Sequence, residues 1–205
     1  MALPSPSGFL ELRHASTDHA IFVVVPERRF LAIDGRGDPG AADFALATRA
    51  LLNVLDVLRS RLRRDGIATS TRAPAVECAW WPPEPLTADE LPEAFADRSR
   101  WYWHQLVELP DQATEARAQA ATDEARRGAG REEALVRQVS FAEGSAGQLL
   151  HIGPRSGEPA TVRKLYADIA AAGLRPEGRL HTLMLADPEH VPGGMGRTII
   201  RQPVA

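Results

Sequence analysis

Three glutamates, two histidines and two pairs of tryptophans are the residues of this 205-residue chain whose types and spacing suit chemistry. Glu77 precedes the apolar run Cys78-Ala79-Trp80-Trp81, Glu143 stands before Gly144, and Glu158 before Pro159. A carboxylate among indoles is desolvated, which raises its pKa. It then acts as a general base near neutral pH or pairs with a cationic ligand. The competing reading for Glu158 is a charge that favours a helix N-terminus, and for Glu143 a hairpin-turn carboxylate. His151 and His181 fall in equivalent-looking strands, as a proton shuttle or as hydrogen-bonded strand histidines. Trp80 and Trp81 are adjacent, so a strand sends them to opposite faces, at most one towards a given pocket. Trp101 and Trp103 are two apart and share a face, with Tyr102 opposite. Indoles so placed are either the stacking wall of a ligand cleft or core packing.

Other chemistry is excluded by what the chain lacks. Cys78 is the only cysteine, so there is no internal disulfide and no Cys-cluster metal site, and its apolar strand marks it as inert packing. There is no His-x-His or His-Glu-x-x-His spacing, so neither metal nor cofactor is expected. Gly35-Arg36-Gly37 lacks the Gly-Lys-Ser/Thr ending of a phosphate loop. The net charge of −3 argues against a nucleic-acid partner. The longest apolar stretch, Ala20 to Pro26, is too short to span a bilayer. No secretion signal is read at the N-terminus, so the expected location is cytoplasmic. The oligomeric state is open.

These residues need elements to hold them. Residues 1–19 read as a flexible start and 20–205 as a single domain. Strands are expected at Ala20–Val25 and Phe30–Asp34 around a turn at Pro26, and Gly35 ends the second. Phe44, Ala47, Leu51, Val54, Leu55, Leu58 and Leu62 recur at helical spacing and predict a long amphipathic helix. Val76–Trp81 and Trp101–Leu109 read as strands. Thr114–Arg127 reads as a helix lying shallowly on the surface, its apolar face only alanines. Leu135–Phe141, a Gly144–Gly147 turn and Gln148–Ile152 read as a hairpin. A helix from Pro159 follows, with Val162, Leu165, Tyr166 and Ile169 on one face, then strands at Leu180–Leu185 and Thr198–Ile200. The order repeats after about 120 residues. The expected fold is α+β, a duplicated β-α-β-β module with halves of about 20–110 and 111–205 and a ligand cleft between them.

The ordered set of Phe30–Gly35, Glu77-Cys78-Ala79-Trp80-Trp81, Trp101-Tyr102-Trp103, Gln148–Pro154, Leu180–Pro188 and Arg197–Val204 resembles the gyrase-inhibitor-like (GyrI-like) small-molecule-binding family. The similarity is to its stand-alone bacterial branch and runs over the chain after residue 20. It implies a central pocket for apolar, often cationic, aromatic compounds. One branch hydrolyses the cyclopropane ring of DNA-alkylating natural products, a form of self-resistance. That branch reads His-Glu-Ile-Tyr-Leu-Ser-Asp-Pro before its last strand, where this chain has His181-Thr182-Leu183-Met184-Leu185-Ala186-Asp187-Pro188. Its pocket glutamate is Thr182 here, and its tyrosine Met184. The expected ligand set is therefore Trp80, Trp81, Trp101, Tyr102, Trp103, His151, Glu158, His181 and Met184. Glu143, Glu77 and Thr182 are the candidate catalytic residues.

Three functions are compatible with this reading. One is binding of a flat apolar or aromatic small molecule for sequestration or sensing. The second is cyclopropanoid hydrolysis, with Glu77 or Glu143 replacing the pattern glutamate and Thr182 orienting a water. The third is modulation of a protein partner.

Overall fold

The computed structural model describes residues 11–70, 74–128, 132–186 and 195–205. The strands are β1 (Ile21–Arg36), β2 (Val76–Trp81), β3 (Tyr102–Glu108), β4 (Arg137–Ile152), β5 (Leu180–Ala186) and β6 (Arg197–Pro203). The helices are α1 (Ala42–Arg64), the short α2 (Leu91–Ala94), α3 (Glu115–Gly128) and α4 (Glu158–Ala171). The fold is α+β. All neighbouring strands are antiparallel and close a barrel in the order β1-β3-β2-β5-β6-β4. Exchanging β1 with β4, β2 with β5 and β3 with β6 returns the same order. The duplication is thus a two-fold relation whose axis runs between β2 and β5, where Cys78 pairs with Thr182.

The two expected hairpins are each one long strand. β1 runs through Pro26 without turning, and β4 runs through Gly144. They pair with each other, and the ladder passes from Val25↔Gly144 to Glu27↔Ala142, omitting Pro26. Proline has no N–H to donate, so a strand tolerates it at an unpaired position. Gly144 opposite takes a left-handed φ of 74°. Both strands bend there together and switch faces. Val23 and Val25 cluster with Leu12 and Ala146, whereas beyond the bend Phe30 and Ala32 meet Leu106. That switch breaks the alternation and is why each strand reads as two.

The predicted apolar stripe of α1 is buried from Phe44 to Leu62 against the outer face of β1, β2 and β3. α3 is not shallow. Ala118, Ala121 and Ala125 are buried against the same core, because an alanine face lets two helices approach closely. α4 covers β4 and β6 through Val162, Leu165 and Ile169. At the N-terminal end, residues 1–10 lie outside the described residues. Leu12 is buried, and its carbonyl accepts a 2.6 Å bond from Arg201. Gly35 lies opposite Trp103, and a Cβ there would stand 2.1 Å from the indole. Only glycine lets that ring lie across the strand.

Candidate functional site

Strand alternation sorts the candidate residues onto two faces of one sheet. On β2, Val76, Cys78 and Trp80 join the core under the helices, while Ala79 lines a cavity on the inner face of the barrel. On β5, Thr182 meets Trp80 on the helix side, and His181 lines the inner cavity. Glu77 and Glu143 are therefore separated from Thr182 by the sheet. The expectation that either replaces the pattern glutamate in the tryptophan cleft is corrected by this geometry.

The helix-side site is a groove of about 690 Å³ between α1 and the side chains of Arg155, just before α4, and Met184 on β5. At its inner end is a void of about 30 Å³ over Cys78, Trp80, Thr182 and Glu158. Pro39, Phe44, Arg155 and Met184 border both spaces. Phe44 lies 5.6 Å from Trp80 and nearly parallel to it, stacked on the indole. The Trp80 indole N–H donates to the Thr182 hydroxyl at 2.9 Å. Arg98 covers Trp80 at 4.8 Å and Phe95 at 4.2 Å. It also forms a buried 2.8 Å ion pair with Glu158. Burial raises the Cys78 thiol well above its usual pKa, leaving it unreactive.

Trp101 and Trp103 stand behind this wall. They meet Phe95 and Phe44 edge-on, at 5.5 and 5.2 Å. Both are buried core rather than groove lining, because their shared face is the one that α1 covers. Trp81 points the other way. It stacks on Tyr102 at 5.8 Å, and the Arg179 guanidinium lies 3.7 Å over it. His151 lies away from the groove, between the Thr161 hydroxyl at 2.9 Å and the Pro154 carbonyl at 3.0 Å. It braces the turn into α4. Asp187 and Pro188 of the matched pattern lie outside the described residues.

The inner site is ionic. Arg28 donates to both oxygens of Glu77 at 2.7 and 2.8 Å and to Glu143 Oε1 at 2.8 Å. Arg201, with no exposed surface, donates to Glu143 Oε1 at 3.0 Å and to Gln148 at 2.8 Å. Glu143 Oε2 and His181 Nδ1 face each other at 3.5 Å. Burial alone would raise the Glu143 carboxyl. The positive groups around it (His181 when protonated, Arg201 and Arg28) outweigh burial and hold it below the usual range. Burial lowers the His181 imidazole despite the neighbouring carboxylates. Glu77, Glu143 and His181 bring one ligand atom each within 4.8 Å of one another. Two guanidiniums already occupy Glu77 and Glu143 Oε1, so two ligand atoms remain beside two fixed positive charges. That is a poor setting for a divalent cation.

Sequence reasoning did not find Phe44 as a wall, Arg98 as the partner of Glu158, or Arg28 and Arg201 as the cations of the inner cluster. The signal for Phe44 was its place at the start of the α1 stripe. For the two inner arginines, no sequence spacing was informative, since residues 28, 77, 143 and 201 meet only when the barrel closes.

No family model matches the chain, and no curated protein matches it. Among solved structures it is similar to an uncharacterized conserved protein from Listeria innocua. Identity is 27%, the TM-score 0.82, and the match covers 96% of this chain and 97% of that one. It is also similar to a hydrolase from Listeria innocua, at 25% identity and TM-score 0.76, covering 96% of each chain. The EcmrR C-terminal domain shares the fold, with TM-score 0.59 at 10% identity over 91% of this chain and 97% of that one. Among the described residues no helix is long and apolar enough to cross a membrane.

Proposed function

We propose that this chain is a GyrI-like small-molecule-binding protein whose ligand is a flat, neutral, apolar compound held in the groove along α1, bordered by Phe44, Arg155 and Met184. The observation that carries this reading is the Phe44–Trp80 stack over the Thr182 hydroxyl. A ring already lies parallel to the indole, and a ligand ring can take its place. Phe44 lies in the first turn of α1, whose N-cap Ala41 makes no side-chain cap bond. The Phe44 carbonyl is held by the Gln105 amide at 2.8 Å, so a ligand takes the ring's place by rotating the Phe44 side chain rather than by moving the turn. The groove floor is neutral. Thr182 stands where the resembling branch has glutamate, Glu158 beneath it is paired with Arg98, and on the groove walls Asp56 and Glu133 are matched in number by Arg49 and Arg155. Neutral ligands follow from that floor.

Intrinsic tryptophan fluorescence tests this with a neutral and a cationic planar dye of matched size. The neutral dye quenches more strongly in the native protein. Phe44→Ala tightens its binding, and Thr182→Glu shifts preference to the cation. A panel of planar dyes without quenching, or a Phe44→Ala variant that binds no differently, overturns the reading.

Hydrolysis of a strained ring is the second reading. Its support is the similarity to a hydrolase over the full length of both chains. Product accumulating beyond one equivalent of protein, followed by mass analysis with a cyclopropanoid, separates turnover from binding.

A further inference from the structure

We propose that the inner face of the barrel holds a second binding site, independent of the groove, for a small alcohol or phenol with an apolar body. The site is a cavity of about 480 Å³ with walls from Ala79, Leu106, Val139 and Phe141 and a polar end at Glu143 and His181. That volume lies in the range of small-molecule pockets, about 300–1,000 Å³. It shares no lining residue with the groove.

The polar end selects the ligand. Glu143 and His181 have side chains only 1% and 5% exposed, and Oε2 and Nδ1 face each other at 3.5 Å. Neither atom has a hydrogen-bond partner, although almost every buried polar atom in a folded protein has one. Their separation is longer than a good N–H···O bond. Apart from Arg28 Nε and Glu108 Oε2, which also have no hydrogen-bond partner but do not line the cavity, the other groups of the cluster are committed. Glu143 Oε1 accepts from Arg28 and Arg201, and Glu77 takes the rest of the Arg28 fork. His104, Arg137, Glu177 and Arg179 also line the cavity, but the buried atoms left without partners at its polar end are a carboxylate oxygen that only accepts and the imidazole nitrogen beside it. A hydroxyl satisfies both, since its O–H donates to Glu143 Oε2 while its oxygen accepts from His181 N–H. An ether or a bare hydrocarbon satisfies neither arrangement fully. The Phe141 ring, 6.0 Å from the His181 ring, supplies the flat wall next to the hydroxyl end. A phenol fits that combination.

The test uses 4-propylphenol and its methyl ether, 4-propylanisole, as probes that differ only by a methyl group on the oxygen. Binding is followed by the ¹⁵N shift of the His181 imidazole in the full-length protein. The phenol is expected to move the His181 signal in a saturable way and to bind about tenfold or more tightly than the ether, since the ether leaves the buried acceptor unpaired. Ala79→Leu, which fills the cavity beside its cross-strand partner His181 without removing a charge of the ionic cluster, is expected to abolish the ligand-induced shift while the protein keeps its circular dichroism. Equal binding of phenol and ether, no saturable shift (a bridging water only), or a shift that survives in Ala79→Leu overturns the proposal. The reporter atom lies across the sheet from Trp80, so failure of the groove reading leaves this measurement intact, and the reverse.

Discussion

Replacing Arg201 by Met removes a positive charge from the centre of the barrel and shows what the ionic cluster contributes. In the native cluster two guanidiniums, Arg28 and Arg201, face the buried carboxylates Glu77 and Glu143, with the partly exposed Glu108 3.5 Å from Arg28. The variant leaves one more negative charge uncompensated around Glu143, whose side chain is 1% exposed. It also strands the Gln148 side-chain oxygen and the Leu12 carbonyl, which Arg201 holds at 2.8 and 2.6 Å. Two unit charges at the 3.0 Å separation of Arg201 and Glu143 attract by about 5–6 kcal/mol at an effective dielectric of about 20. Removing the arginine also removes its own desolvation cost, so the net loss is smaller. Breaking a buried pair costs about 3–5 kcal/mol. For a chain of this length that corresponds to a fall of roughly 6–20 °C in Tm. Adding Glu143→Gln to Arg201→Met removes the excess charge and is expected to restore about 2 kcal/mol, a coupling typical of residues in one network. Urea unfolding at pH 7.5, followed by circular dichroism, measures the four corners of this cycle. A single variant within about 1 kcal/mol of native, or a double variant equal to the sum of the singles, refutes the account of a charge-balanced interior.

Two further outcomes follow from the same contacts. Gly35→Ala drives a methyl into the Trp103 ring, 2.1 Å away, and is expected to cost about 1–3 kcal/mol or more in thermal melts. A melt within error of native shows that the ring has room to move. Stability is also expected to fall with acid in two stages. Burial lowers His181, and His104 as well, below the usual histidine value. The unfolded chain therefore takes up these protons first, and stability is lost as pH falls below about 6.5. Glu143 is also lowered, so its contribution is present above about pH 4.3 and is lost below it. His181→Gln is expected to reduce the slope between pH 7 and 5.5, and an unchanged slope contradicts the assignment.

Much of the fold is legible in the chain, and the reasons are local. The α1 stripe from Phe44 to Leu62 has a period that only a helix satisfies, and its residues are the ones buried. Gly66 and Gly173, just beyond the ends of α1 and α4, take left-handed φ values of 74°, the conformation in which glycine ends a helix. The alternation rule already separates Trp80 from Trp81, and applied to β2 and β5 it also separates Glu77 from Trp80 and His181 from Thr182. Where β1 and β4 bend together at Pro26 and Gly144, no local rule predicts that a proline and a glycine about 120 residues apart will face each other and keep two long strands whole.

The candidate residues divide along the same line. Sequence by itself determined their types and their alternation, because these are properties of a strand and its neighbours. Tertiary structure decided which of them meet. Barrel closure brings Arg28, Glu77, Glu143 and Arg201 together from four strands, and the packing of α1 puts Phe44 on Trp80 and buries Trp101 and Trp103 behind it. Charges and rings so far apart in sequence interact only when the sheet closes, so no spacing along the chain records their meeting.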